Sequence, residues 1–168
     1  MTFFLTNITY GQIKPDLKNS NLEGVSSKGE FYWWKNAANK GGDATFSVET
    51  TDVNKGSEKA LKAEIHELGE KPWHINSQFN QKFEGKAGDE ISIEFYAKNG
   101  ANGKGKIKLV TQSDIKGSFQ GKNIQLTNKW KSYKHTFTLK DNSSNNKIKF
   151  WYLNPGTTYY IDDLSLTK

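Results

Sequence analysis

The chain has 168 residues, of which 34% are hydrophobic and 13% aromatic, and carries a net charge of +6, which suits one domain with a real core. Cysteine is absent, excluding disulfides and thiolate metal sites, and every cation is a lysine because arginine is absent too. Without the planar arginine fork that grips phosphates and guanine edges, nucleic acid is a poor partner, and no run of about 20 apolar residues long enough to span a membrane occurs.

Residues 1–15, with the apolar run Phe3-Phe4-Leu5, are expected to form a linker or an extra edge strand. No basic stretch precedes that run, so it does not resemble a signal peptide. If the native protein is exported, this chain is then a mature fragment or an excised domain. The module proper is expected over 16–168. Phe31-Tyr32-Trp33-Trp34 alternates, which places Phe31 and Trp33 on the core side and Trp34 facing outward towards a ligand. Residues 44–48 read as a strand, and Asp52 to Ser57 as a turn. Lys59 to Ile65 has the composition of a helix, yet Leu61, Ala63 and Ile65 alternate and Gly56 and Gly69 close it off, so a strand is expected.

The stretch 73–80 is the most informative. Ile75 and Phe79 fall on one face of a strand, and His74, Asn76 and Gln78 on the other. Trp73 shares parity with Ile75 but follows Pro72 directly, so core and rim both remain open for it. Strands follow at 91–97 and 107–112, flanking a Gly/Asn hairpin loop, and a polar loop carrying Phe119 leads to Leu126 to Trp130. Alternation resumes at 133–139, at 148–153, where Trp151 faces outward beside Lys149, and at 159–166. Nine or ten short strands without a helix imply an antiparallel β-sandwich or jelly roll.

Asn and Gln each offer both donors and acceptors, so a row of them beside tryptophans suits a ligand rich in hydroxyls. The landmarks Asn21-Leu22-Glu23, Lys59-Ala60-Leu61, Pro72-Trp73-His74-Ile75-Asn76, Gly88 to Lys98, Leu126 to Tyr133 and Tyr160 to Leu164 occur in an order that resembles the carbohydrate-binding modules of families four, nine, sixteen and twenty-two. The likeness spans about residues 16–168 by landmark spacing. It implies a jelly roll with a cleft that binds xylan, β-glucan or cellulose, or mannan chains, without catalysis and tethered to a glycan-degrading enzyme. It also implies cleft positions for Gln112 and Phe119, and a structural calcium ion held by Glu23 and Asp162, with the Asp52–Lys55–Ser57 turn supplying further oxygens. The family often has acidic or Gln residues where this chain has His74 and Asn76, so the likeness does not fix the sugar.

Trp34, Trp73 and Trp151 are thus the expected stacking residues, and His74, Asn76, Gln78 and Gln112 the polar readers. The dispersed lysines read first as solvated surface and second as attraction to an acidic polysaccharide such as alginate or pectin. His66, His74 and His135 form no metal spacing; a lyase or hydrolase using His74 with Tyr96 is the less favoured alternative, and an adhesive surface domain a third. The expected setting is extracellular, on a bacterial protein, as a monomer.

Overall fold

A computed structural model describes residues 17–100 and 104–168; the expectation for residues 1–15 lies outside them. Ten strands make up the described fold: β1 (Trp34–Ala38), β2 (Asp43–Glu49), β3 (Ala60–Glu67), β4 (Ile75–Gly85), β5 (Glu90–Asn99), β6 (Lys106–Gln112), β7 (Phe119–Gln125), β8 (Lys131–Thr138), β9 (Ser143–Tyr152) and β10 (Thr157–Thr167). They form two five-stranded antiparallel sheets, ordered β1-β4-β9-β6-β7 and β2-β3-β10-β5-β8. The fold is an all-β jelly-roll sandwich, as the alternation implies. β3 is a strand despite its Ala, Leu, Lys and Glu: Leu61, Ala63 and Ile65 are buried while Lys62 and Glu64 stay partly exposed.

The core lies between the sheets. Ile75, Phe79, Ile148, Phe150 and Ile107 from one meet Ile93, Phe95, Ile161 and Leu166 from the other. One polar cluster lies along its β1-β4-β9 side. The buried Ser77 hydroxyl donates to Asn36 Oδ1 at 2.7 Å and sits 2.8 Å from the Tyr152 hydroxyl, so a buried Tyr is satisfied without water.

Expectations fail where strands begin, and two of these failures bear on the fold. The first concerns Trp34, expected to face a ligand. Alternation cannot be counted from Phe31, because Tyr32 and Trp33 form a turn with Trp33 at φ 65° and the Trp34 amide donating to the Phe31 carbonyl at 3.3 Å. The strand starts only at Trp34, so Phe31 and Trp34, three apart, are both buried. The Trp34 ring is 8% exposed, packs 5.3 Å from Phe79 and stacks 6.1 Å from Phe150. Trp33 is instead the exposed one, with the Lys18 ammonium 5.2 Å from its ring. The second concerns Phe119, expected on a loop. It opens β7, an edge strand with both faces largely exposed; such a strand has no apolar period to announce it.

Candidate functional site

The outer face of the β1-β4-β9-β6-β7 sheet gathers most of the expected ligand residues. Hydrogen-bonded register sets them in rows across the strands. One row runs Ala37, Asn76, Trp151, Lys108, Asn123. The next runs Lys35, Gln78, Lys149, Val110, Gly121, and a shorter one Lys147, Gln112, Phe119. Alternation forces this grouping, since these residues oppose the buried Ile75, Phe79, Ile148 and Phe150.

Trp151 is the centre of the face. It is 6% exposed because Trp73 and Phe119 lean over it from either side, with centroids 5.7 and 5.5 Å away. It therefore serves as the floor of the site, in place of the exposed platform expected from its parity. Trp73 and Phe119 are 47% and 44% exposed and offer the free ring surface. Trp73 is a rim residue because β4 begins only at Ile75, and Lys71 to His74 form a turn closed by the His74 amide donating to the Lys71 carbonyl at 3.0 Å. Between the rings lies a depression of about 380 Å³ lined by Asn39, Trp73, Asn76, Gln112, Phe119, Lys149 and Trp151.

The polar lining is arranged for contact. Asn76 spends one amide hydrogen on the Trp73 carbonyl, at 2.8 Å, which holds the ring's turn in place. The side chains of Asn39, Gln112 and Lys149 have no hydrogen-bond partner among the described residues. Gln78 sits one row further on and donates to Asn80 Oδ1 at 2.7 Å, placing it beside the depression. The Lys108 stem lies over Gly121, where a Cβ would come within 2.4 Å of its Cε, and its ammonium reaches within 5.3 Å of the Trp151 ring and 5.7 Å of Phe119. Burial, helped by the Lys147 charge, holds Lys149 below the usual lysine range.

His74 does not join this face, contrary to its expected role as a reader. It precedes the strand, is buried, and accepts the Lys71 amide hydrogen at Nδ1 at 3.2 Å. Gly69 makes room for it, since a Cβ there would lie 2.6 Å from the His74 Cβ. His74 thus shapes the loop that carries Trp73. Tyr96, its supposed catalytic partner, lies on β5 of the other sheet. Lys149, Lys108 and Asn39 were missed as site residues; the shared parity of Lys149 and Trp151 was the available signal.

The expected calcium ligands lie elsewhere, near Leu22 and the middle of β10. Asp162 is fully buried, its Oδ1 accepting the Asp163 amide hydrogen at 2.8 Å and its Oδ2 left without a partner. Burial is the main reason its pKa is pushed up to about 7; the nearby Ser57 hydroxyl opposes it, and the Asp163 and Glu23 charges add to it. Glu23 Oε1 caps the Glu58 and Lys59 amides at 2.9 and 3.3 Å, while its buried Oε2 has no hydrogen bond and only Lys59 Nζ at 3.7 Å. A depression beside them is lined by Asn21, Glu23, Lys55, Ser57 and Asp163, among others. Asp52 does not belong there. It pairs with Lys98 and accepts the Trp130 indole hydrogen at 3.3 Å, and Asn54 takes the inward place, donating to Asp163 Oδ2 at 2.9 Å. The donor set is all oxygen, which suits a hard cation. Among the described residues no three His, Asp or Glu side chains are close enough to enclose a metal, so any calcium would draw on main-chain carbonyls as well.

No family model matches the chain. No curated protein matches it either. Solved structures do. One described as a family 4 carbohydrate-binding module aligns with a TM-score of 0.68 at 19% identity, covering 90% of this chain and 98% of that one. A family 61 module in complex with β-1,4-galactotriose aligns with a TM-score of 0.59 at 22% identity, covering 89% and 95%. A Clostridium thermocellum xylanase comprising a family 22 module and its catalytic module, complexed with xylohexaose, aligns with a TM-score of 0.58 at 12% identity, covering 81% of this chain and 26% of that chain. Identities this low establish a shared jelly-roll fold.

Proposed function

We propose that this domain is a non-catalytic carbohydrate-binding module that holds a polysaccharide chain across the outer face of the β1-β4-β9-β6-β7 sheet. The observation that carries the reading is the aromatic rim of Trp73 and Phe119 over the Trp151 floor, with unpaired amides of Asn39 and Gln112 between them. A ring's C–H face stacks on an aromatic face while its hydroxyls exchange water for amides. Because such a site is open and shallow, affinity should be on the order of micromolar to millimolar. The solved structures of similar fold include sugar complexes, one of them with an enzyme module on the same chain. They support the reading of this domain as a targeting module; the proposal further places it, as a monomer, on an exported bacterial glycan-degrading protein. Affinity electrophoresis through gels containing xylan, β-glucan, glucomannan, galactan or polygalacturonate tests it. Retardation in at least one gel, with no release of reducing ends from any, is the expected outcome; turnover by the isolated domain would refute the non-catalytic reading.

A calcium ion held by Glu23 and Asp162 together with main-chain carbonyls is the second part of the proposal, supported by the two buried carboxylate oxygens of these residues that lack hydrogen-bond partners. It would lock the start of the described chain to β10. Thermal melts with excess calcium and with chelator should differ by several degrees; coincident melts exclude the ion. The chelated protein should also show an inverted pH response. In the fold Asp162 keeps its proton up to about pH 7, whereas the unfolded chain releases it near pH 4. The folded state then binds more protons between these values, so stability falls as pH rises from 4 to 7, by about 2–4 kcal/mol. Asp162→Asn should flatten that slope, and an unchanged slope would show that Asp162 is not its origin.

A further inference from the structure

We propose that the ligand of this face is an anionic glycan, its carboxylate or sulfate groups lying against Lys149 and Lys108 while its rings stack on Trp73 and Phe119. The inference rests on the glycan-binding reading and names the ligand's chemical class.

The three rows of the face contain Lys35, Lys108, Lys147 and Lys149 and no carboxylate. None of these four lysines has an ion-pair partner among the described residues. A site for neutral sugars needs acceptors for hydroxyl hydrogens as well as donors for their oxygens. Among the described residues, the amide oxygens of Asn39, Asn76 and Gln112 are the only side-chain acceptors lining the depression. The donors are in excess.

The cations are also positioned instead of being spread at random. Lys149 stands in the lining of the depression, two residues from the Trp151 floor. Lys108 is laid flat across Gly121, so its ammonium comes over the same aromatic group from the far side. Lys149 is partly desolvated next to Lys147, a cost that an arriving anion offsets and a neutral hydroxyl does not. A planar or tetrahedral anion between these ammonium groups would accept the hydrogens that the site leaves unpaired.

Isothermal titration of the whole domain with polygalacturonate (a uronate), κ-carrageenan (a sulfate ester) and glucomannan (neutral) tests this at 50 and 500 mM NaCl. The expected result is at least tenfold tighter binding of one of the two anionic polymers than of glucomannan at low salt, a preference that shrinks at high salt. Which anionic polymer binds tells uronate from sulfate. Lys149→Gln should reduce that preference by about tenfold, while Lys134→Gln, an equal charge loss on the opposite sheet, should leave it alone. Equal or tighter binding of glucomannan overturns the anionic assignment and leaves the glycan-binding reading standing. So does an equal effect of Lys134→Gln, which would mean bulk charge alone. Binding of none of the three, by a protein whose circular dichroism shows it folded, overturns the anionic assignment, and the glycan-binding reading falls with it only if the xylan, β-glucan and galactan gels show no retardation either.

Discussion

Trp73→Ala is expected to weaken glycan binding by about 10–100-fold while lowering the melting temperature by only a few degrees. Trp73 is nearly half exposed and contacts the fold chiefly through Trp151 and His74. Its free face can cover roughly 100 Å² of a sugar's apolar surface, which at about 25 cal/mol per Å² is some 2.5 kcal/mol. Each 1.4 kcal/mol is a factor of ten in affinity. The loss to folding is smaller, about 1 kcal/mol, because the ring's outer side already faces water. Affinity electrophoresis and a thermal melt on the same preparation separate the two quantities. A large drop in melting temperature with unchanged affinity would make Trp73 a structural residue and put the binding face elsewhere.

Trp34→Ala should behave in the opposite way. Its ring is packed between Phe79 and Phe150 inside the sandwich, and its Nε1 donates to the Asn19 carbonyl at 3.3 Å. Emptying that volume is expected to cost about 3–5 kcal/mol. For a domain of this size the melting temperature would fall by about 6–20 °C. The depression between Trp73 and Phe119 does not include Trp34, so whatever fraction stays folded should bind with its ordinary affinity. Urea titration supplies the stability and calorimetry in native buffer the affinity. Loss of affinity without loss of stability would return Trp34 to the binding site.

These two tryptophans show how far the sequence could be read. Period-two alternation is a property of regular strands, and it located the core faithfully wherever a strand was regular, as in β5 with Ile91, Ile93 and Phe95 inward. It has no force across a turn. Trp33 and Trp34 swap places because a single left-handed residue resets the count, and His74 leaves the face for the same kind of reason, one residue before β4 begins. Asn76 and Gln78, within the strand, do lie on the expected face. β7 was illegible for another reason. An edge strand exposed on both sides carries no apolar stripe, and only its pairing with β6 defines it. Trp151 had the right direction but the wrong role, since parity gives the face a side chain points to and says nothing of what leans over it. Asp52 was placed by proximity in sequence to the calcium turn, yet a carboxylate next to Lys98 and Trp130 has closer partners.

The site itself is a product of four strands and two loop positions that are far apart in sequence. Asn39 and Trp73 come from opposite sides of β1 and β4, while Gln112, Phe119 and Lys149 come from β6, β7 and β9. Antiparallel register brings them together, and no local motif could have announced the group. This also explains why a short string of conserved-looking letters is a weak guide to ligand choice in such a fold. The face is assembled by long-range pairing, and its chemistry resides in side chains that the sandwich does not need.

The account's central claim is that a glycan chain binds across the β4, β9, β6 and β7 strands, and titration of isotope-labelled domain with a bound oligosaccharide, followed by amide and indole chemical shifts, tests it most directly. The predicted result is a contiguous set of shifts at Asn76, Gln112, Phe119, Lys149 and Trp151, with the Trp73 and Trp151 indole resonances moving most and that of Trp34 almost still. Shifts confined to the β2-β3-β10-β5-β8 sheet, or to the exposed Tyr32 and Trp33 turn, would contradict it.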